Sequence, residues 1–503
     1  MDRDGSQLPG PREEAPIDTA VAPRLAWVTP RRVILFVLAW LAAFSLGSIA
    51  ISNPFASEPS ATATPNYWHV MYLHGLLIGM VGLMALLALE VFETRCSPHV
   101  RAGIVLGVVG ATVLAAAGGI FDRVAPGDEA AMWTQIAGFF FLDEILVLLL
   151  VGFWQGWRAK LPSSRTLAYG AGVLASGSML LAAVMGHLAG WILEFHSHPF
   201  LISDWARWAG EDWQTLRDSL IGSHSHEMAV ASMALALSAG VYRFGYLSAS
   251  GVARHLSRVG MAMVGVGIVW MTGLYVAMAV TDWVVPSYFT SAHGTNGIAG
   301  DDLVTGIFVM GGGLLALWPL AARLPAKLRS VAGATIPLAA AWAWTGIIAG
   351  VVIGGYWIEE SETFFGVGAK GSPGAANDNV FVWIHQDIGL FLLPALFTIL
   401  LLADRLAGRR YRGPIGWSAI AGVTMLLVGG GVWVFADPAK FGPGYVLSTI
   451  GLVLVAGSIG LTMVSGLLGD GSLRLIPRRR HASPSGTPDE RQEDRHRPDS
   501  RAA

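Results

Sequence analysis

Cysteine occurs once in the 503 residues, at Cys96, which rules out an intrachain disulfide framework and an all-cysteine metal site. Charge is scarce too: Asp, Glu, Lys and Arg make up 14% of the chain, where soluble domains carry about 25%. With 33 basic and 35 acidic residues and a net charge of −2, no electrostatic feature points to nucleic acid. Apolar side chains, 53% of the residues, take the place of charge. They fall in runs of roughly 20, the length that crosses about 30 Å of hydrocarbon as a helix. These absences leave one class, an all-α polytopic membrane protein.

Twelve such runs are expected, at about 33–52, 68–93, 103–120, 132–154, 167–193, 222–244, 258–281, 303–322, 333–356, 380–402, 416–435 and 445–468. They divide the chain into an N-terminal tail (1–30), a twelve-helix transmembrane domain (31–470) and a C-terminal tail (471–503). Both tails are polar, Pro-containing and charged, and are expected to be disordered. The first has no short apolar region followed by a cleavage site, so no removable signal peptide is expected.

Basic residues set the orientation. Arg24, Arg31 and Arg32 precede span 1, Arg95 and Arg101 separate spans 2 and 3, and Arg158, Lys160 and Arg165 separate 4 and 5. Arg243, Arg254 and Arg258 follow span 6, Arg323, Lys327 and Arg329 follow span 8, and Arg405, Arg409, Arg410 and Arg412 follow span 10. Arg478 to Arg480 follow span 12. The alternate loops are richer in acids, as in "FDRVAPGDEA" and "IEESETFF". The positive-inside rule then places both termini in the cytoplasm and makes this a multi-pass protein of the plasma (inner) membrane, with even-numbered helices entering from outside.

On that map most histidines gather toward the outer face: His69, His74, His187, His196, His198, His224, His226, His293 and His385. Histidine is the commonest metal ligand among side chains, and ionisable groups in spans are costly enough to suggest function. Hydrogen-bonded imidazoles lining an outer vestibule are the simpler alternative. His74 in "NYWHVMYLHGLLIGMVGLM", His224 and His226 in "IGSHSHEMAVASM", and His385 in "VFVWIHQDIGLFLLPALF" stand near the outer starts of spans 2, 6 and 10. The spacing of four suggests three repeats of four helices. Residues two apart on a helix project about 200° apart, so one of His224 and His226 is expected to face inward and the other outward. The deeper, His226, is the expected inward one.

Twelve spans with outer-third histidines on the second, sixth and tenth resemble the catalytic subunit of haem-copper oxidases and nitric oxide reductases, including the divergent NnrS-type haem- and copper-binding proteins. The resemblance covers nearly the whole chain as topology and only short stretches as motif. It implies a b-type haem ligated by His74 within "LHGLLIGMVG", with His385 as the opposite ligand, and a copper or other metal near His224 or His226. His293 in "TSAHGTNG" stands where the family carries two adjacent histidines, and "IHQD" offers one histidine where it carries a His-x-His pair. Span 6 lacks a His-Pro-Glu run, and Tyr242 lies too far along it to match the family's cross-linked tyrosine. Haem binding is therefore implied more than a complete oxygen-reducing centre. The implied work is oxidoreduction, electron transfer or small-gas chemistry with nitric oxide or oxygen. There is no Cys-x-x-Cys-His motif, so a separate electron-donor protein or a quinol is implied.

Other residues extend the list. Gly75, Gly79 and Gly82 beside His74 could admit a haem ring or pack helices closely. His187, Glu194, His196 and His198 cluster after span 5, where His187 is a further metal candidate. Asp143 and Glu144 in "GFFFLDEILVLL" are expected to be the most buried acids, suited to a proton relay or to hydrogen bonding between helices. The alternative class is a secondary transporter. Twelve spans with both termini inside is also the major-facilitator topology, and "LLADRLAGRRYRG" echoes that family's cytoplasmic loop. Transporters gather polar residues near the midplane, however, and here histidines crowd the outer third.

Overall fold

The computed structural model describes residues 30–51, 67–92, 94, 96–124, 129–157, 166–195, 213–244, 251–280, 304–318, 331–353, 383–435 and 442–468. Among these residues every regular element is helical, in twelve segments. They are α1 (Pro30–Ile51), α2 (Tyr67–Val91), α3 (Pro98–Val124), α4 (Glu129–Trp157), α5 (Thr166–Phe195), α6 (Trp213–Phe244) and α7 (Gly251–Val280). There follow α8 (304–318, containing the π-helical turn Gly306–Gly311) and α9 (Val331–Ile348, continued by the π-helical Ala349–Ile353). The last three are α10 (π-helical Trp383–Leu392, then Leu393–Leu406), α11 (Arg409–Phe435) and α12 (Pro443–Leu468).

Among the described residues six helices, α3, α4, α5, α7, α11 and α12, are long and apolar enough to cross a membrane. Shorter apolar stretches lie in α1, α2, α8, α9 and α10. Their outward faces carry exposed Trp133, Trp154, Trp157, Trp270, Trp318 and Trp417, an apolar surface that suits lipid and would be costly in water. Several helices begin earlier than the apolar runs imply. α6 starts at Trp213, not near 222, and α7 at Gly251, not near 258. The extra turns are polar, with Arg217 and Asp218 in α6, so hydropathy could not reveal them.

Three helices form the centre. α2 is buried on all sides from Gly75 to Leu89, α6 from Glu227 to Tyr242 and α10 from Ile388 to Leu400. Such all-round burial is expected of helices without a polar stripe. The three pack on one another, and the other helices close a ring around them in the order α1, α3, α4, α5, α7, α8, α9, α11, α12 and back to α1. Trp344 on α9, fully buried, donates to the Met310 carbonyl on α8 and joins that part of the ring. The inner helices are four apart in chain order.

Small residues set the closest approaches. A Cβ at Gly451 of α12 would lie 2.8 Å from the Leu426 nitrogen of α11, so only glycine permits that crossing. The π-helical parts of α9 and α10 meet in the same way, since a Cβ at Gly350 would fall 2.9 Å from the Gly389 Cα. At the other end of the inner bundle Phe92 packs edge-on against Phe153, Tyr169 and Tyr242. The Tyr242 hydroxyl donates to the Phe92 carbonyl at 3.1 Å, tying α6 to the end of α2.

Candidate functional site

His74 lies seven residues into α2, about 10 Å along its axis, and His224 lies eleven residues into α6, about 16 Å along it. His224 and His226 therefore do not open their helix but sit well inside it. The packing of α2 on α6 brings the His74 and His224 rings to a centroid separation of 6.3 Å with planes 22° apart. Phe139 of α4 covers His74, at 4.9 Å between centroids.

The orientation of His224 is fixed from α5. Its Nδ1 lies 2.7 Å from the Ala182 carbonyl oxygen. A carbonyl can only accept, so Nδ1 carries a proton, and in the neutral ring Nε2 keeps its lone pair. Metal-ligating histidines commonly adopt this arrangement, with the remote N–H donated to a backbone carbonyl. Gly186, one turn further along α5, makes room for the ring: a Cβ there would be 2.7 Å from Nδ1. The inward histidine is thus His224, contrary to the expectation for His226. His226 leaves the helix on the other side, half-buried, with Nδ1 3.4 Å from the Ser225 hydroxyl.

A second pair stands beside the first. His187 of α5 donates from Nε2 to Asp143 Oδ2 at 2.6 Å, and Phe140 stacks on the His187 ring at 5.0 Å. Asp143 and Glu144 part company here. Asp143 turns to α5, while Glu144 is exposed.

Neither is the most buried acid. Among the described residues that is Glu227 of α6, whose side chain is fully enclosed. Its Oε1 accepts from the Ser178 hydroxyl of α5 at 2.8 Å, and Ser178 lies 2.8 Å from the Thr272 hydroxyl of α7. Sequence reasoning gave Glu227 no role. Its one signal was an acid opening a run, "EMAVASMALALSAGVY", with no polar face to turn toward water.

Gly79 and Gly82 of α2 lie at close helix contacts. A Cβ at Gly79 would strike Leu41 of α1, and one at Gly82 would meet Val108 of α3. The Gly75 carbonyl accepts from Trp40 Nε1 of α1 at 2.8 Å. His385 lies in the π-helical part of α10, which packs on α2 and α6. The side chains of His385, Asp387 and His69 lie outside the described residues, as do His196, His198 and His293 altogether. Tyr242 is eighteen residues from His224, about 27 Å along α6, as its position in the sequence implies.

Two imidazoles on opposite sides of one metal have ring centres about 6 Å apart, given a metal–nitrogen distance of about 2.0 Å and the half-width of each ring. The His74–His224 separation of 6.3 Å is close to that distance, but the two rings are stacked rather than edge-on to a common point. Among the described residues no group of three or more His, Cys, Asp or Glu side chains is gathered for a metal ion. Neither a family model nor a curated protein matches this chain.

Proposed function

We propose that this chain is a haem-binding, multi-pass protein of the plasma (inner) membrane, a divergent relative of the haem-copper oxidase catalytic subunit. It works in electron transfer or in small-gas chemistry with nitric oxide or oxygen. The convergence of the inner helices carries the reading: α2, α6 and α10 are also the helices that bear His74, His224 and His385. Histidines scattered for solubility would have no reason to favour the three helices farthest from solvent.

In this reading the twelve segments are twelve spans in three repeats of four, with both tails cytoplasmic. His74 and His385 would hold a b-type haem, and His224 would offer its Nε2 to an adjacent copper. When bound, a haem would supply one-electron iron chemistry, suited to electron transfer or to small-gas chemistry. The chain's own contribution is orientation and exclusion of water. Ala182 fixes the His224 tautomer, Phe139 covers His74, and the Asp143–His187 pair can hold or pass a proton close by. Electrons would come from a separate donor protein or a quinol.

One observation favours a second reading, a twelve-helix secondary transporter. Glu227, with Ser178 and Thr272, is a polar site deep in the bundle, where transporters hold their substrates and coupling ions. Purified protein separates the two. The haem reading expects a coloured preparation whose pyridine haemochrome identifies haem b and whose metal content includes iron. Folded protein that is colourless and free of iron and copper would reject it in favour of the transporter.

A further inference from the structure

We propose that Glu227, Ser178 and Thr272 form a sodium-ion site enclosed between α5, α6 and α7. The Glu227 side chain is fully buried, so its carboxyl group must be satisfied inside the protein. With Glu227 ionised, Ser178 donates to Oε1, and Thr272, 2.8 Å from the Ser178 hydroxyl, also lies within hydrogen-bonding reach of the carboxyl group. Two hydroxyls thus meet at the carboxyl group, an arrangement suited to an ionised acceptor. Glu227 Oε2 is buried and, among the described residues, has no hydrogen-bond partner.

Two simpler states leave something unsatisfied. A neutral acid would donate from Oε1 to Ser178 and leave Oε2, a buried carbonyl oxygen, without a donor among the described residues. A bare carboxylate would be a buried charge without a counter-charge, since the ion pair found among the described residues joins His187 to Asp143, not to Glu227. The nearest imidazoles do not supply one. His224 is turned toward Ala182 and His74, and His226 precedes Glu227 directly and so projects about 100° away from it. A small cation answers both needs: it occupies the open side of Oε2 and cancels the charge.

The donor set selects the ion. A carboxylate and two hydroxyls are hard oxygen ligands, suited to alkali and alkaline-earth ions and poor for soft metals. One carboxylate balances one positive charge, whereas a divalent ion would leave an uncompensated charge in a low-dielectric interior. Oxygens this close together, turned toward one ion, suit the shorter metal–oxygen distances of sodium better than those of potassium. The site lies one helical turn from His224, so it belongs to the same bundle, yet it requires no haem.

The test uses the purified full chain in detergent, with sodium, potassium or choline chloride at equal ionic strength, reading thermal unfolding and the binding of radioactive sodium. Sodium should raise the unfolding midpoint saturably, potassium should do so less, and labelled sodium should bind and be displaced by unlabelled sodium. Glu227→Gln should abolish both effects, and Ser178→Ala or Thr272→Val should weaken sodium binding by about tenfold, the loss of one ligand. Identical midpoints in the three salts with no saturable sodium binding by the unaltered protein would overturn the proposal, as would a sodium response that survives Glu227→Gln. The unaltered protein alone decides the matter if a variant does not fold. Because the readout is independent of colour, a failure here leaves the haem reading standing, and the reverse.

Discussion

His187 and Asp143, on adjacent helices α5 and α4, share a hydrogen bond of 2.6 Å while their side chains remain 30% and 22% exposed. The bond therefore sits at the edge of the bundle, close to His224. Asp143 Oδ1 is buried and has no partner among the described residues, so the carboxylate has capacity beyond its bond to His187.

Replacing Asp143 separates charge from hydrogen bonding. Asp143→Asn keeps an acceptor for the His187 N–H and should change the unfolding free energy by less than about 1 kcal/mol. Asp143→Leu strands that N–H and should cost about 1–2 kcal/mol, the lower part of the range for an orphaned donor because the site is partly exposed. A double-mutant cycle with His187→Leu, measured by chemical unfolding, should recover most of the loss; simple additivity would mean that the two side chains do not interact. If the pair passes protons, Asp143→Asn should also slow turnover without altering a haem spectrum, whereas Glu144→Gln, at an exposed position, should leave turnover unchanged. Unchanged turnover in both would make Asp143 structural.

Gly186 tests the seat of His224. A methyl group there would lie 2.7 Å from Nδ1, so Gly186→Ala should push the ring off the Ala182 carbonyl and destabilise the protein by about 1–3 kcal/mol. Adding His224→Ala removes the clash, and the double variant should be more stable than the sum of the single changes predicts. Unfolding midpoints of the four proteins decide it. Strict additivity would mean that His224 does not rest on α5.

Much of this was legible in the residues, and what was not has physical causes. Apolar runs of about 20 residues mark the helices because lipid demands that length. The prominence of the second, sixth and tenth was readable through histidines that would be costly anywhere but an interior. Helix starts were less readable, since turns such as "WQTLRDSLIG" are held by helix geometry without being apolar. Which of two histidines points inward depends on helix rotation, and that is set by contacts with α5 that no single-helix pattern encodes. Gly75, Gly79 and Gly82 read equally as a ring-binding face and as a packing face, and the neighbours that lie against them are α1 and α3. Glu227 stands beside two histidines, and nothing in that local pattern distinguishes an acid facing water from one held by neighbouring helices. Only the packing of α5 and α7 reveals that it is enclosed.

Topology can be checked without any cofactor. With both tails in the cytoplasm, cysteines introduced at Gly127 and Gly366 should react with an impermeant maleimide in intact cells, and Cys96 should react only after the membrane is opened. Labelling of Cys96 from outside would invert the orientation and place the histidine-rich end of the bundle at the cytoplasmic face.

The histidines themselves give the most direct test of the haem proposal. An imidazole–iron bond has no substitute in a dry interior, so His74→Ala and His385→Ala should each remove a sharp reduced α-band from the absorption spectrum. His224→Ala and His226→Ala should differ from each other, because the two side chains leave α6 on nearly opposite sides. The ring 6.3 Å from His74 belongs to His224, so its loss should alter the spectrum or the copper content, while His226→Ala should leave both near those of the unaltered protein. A reversed order, with His226 dominant, would mean that α6 is rotated relative to α2 in the loaded protein. Equal and mild effects from all four, in protein that remains folded, would leave no imidazole on iron and reject these residues as ligands.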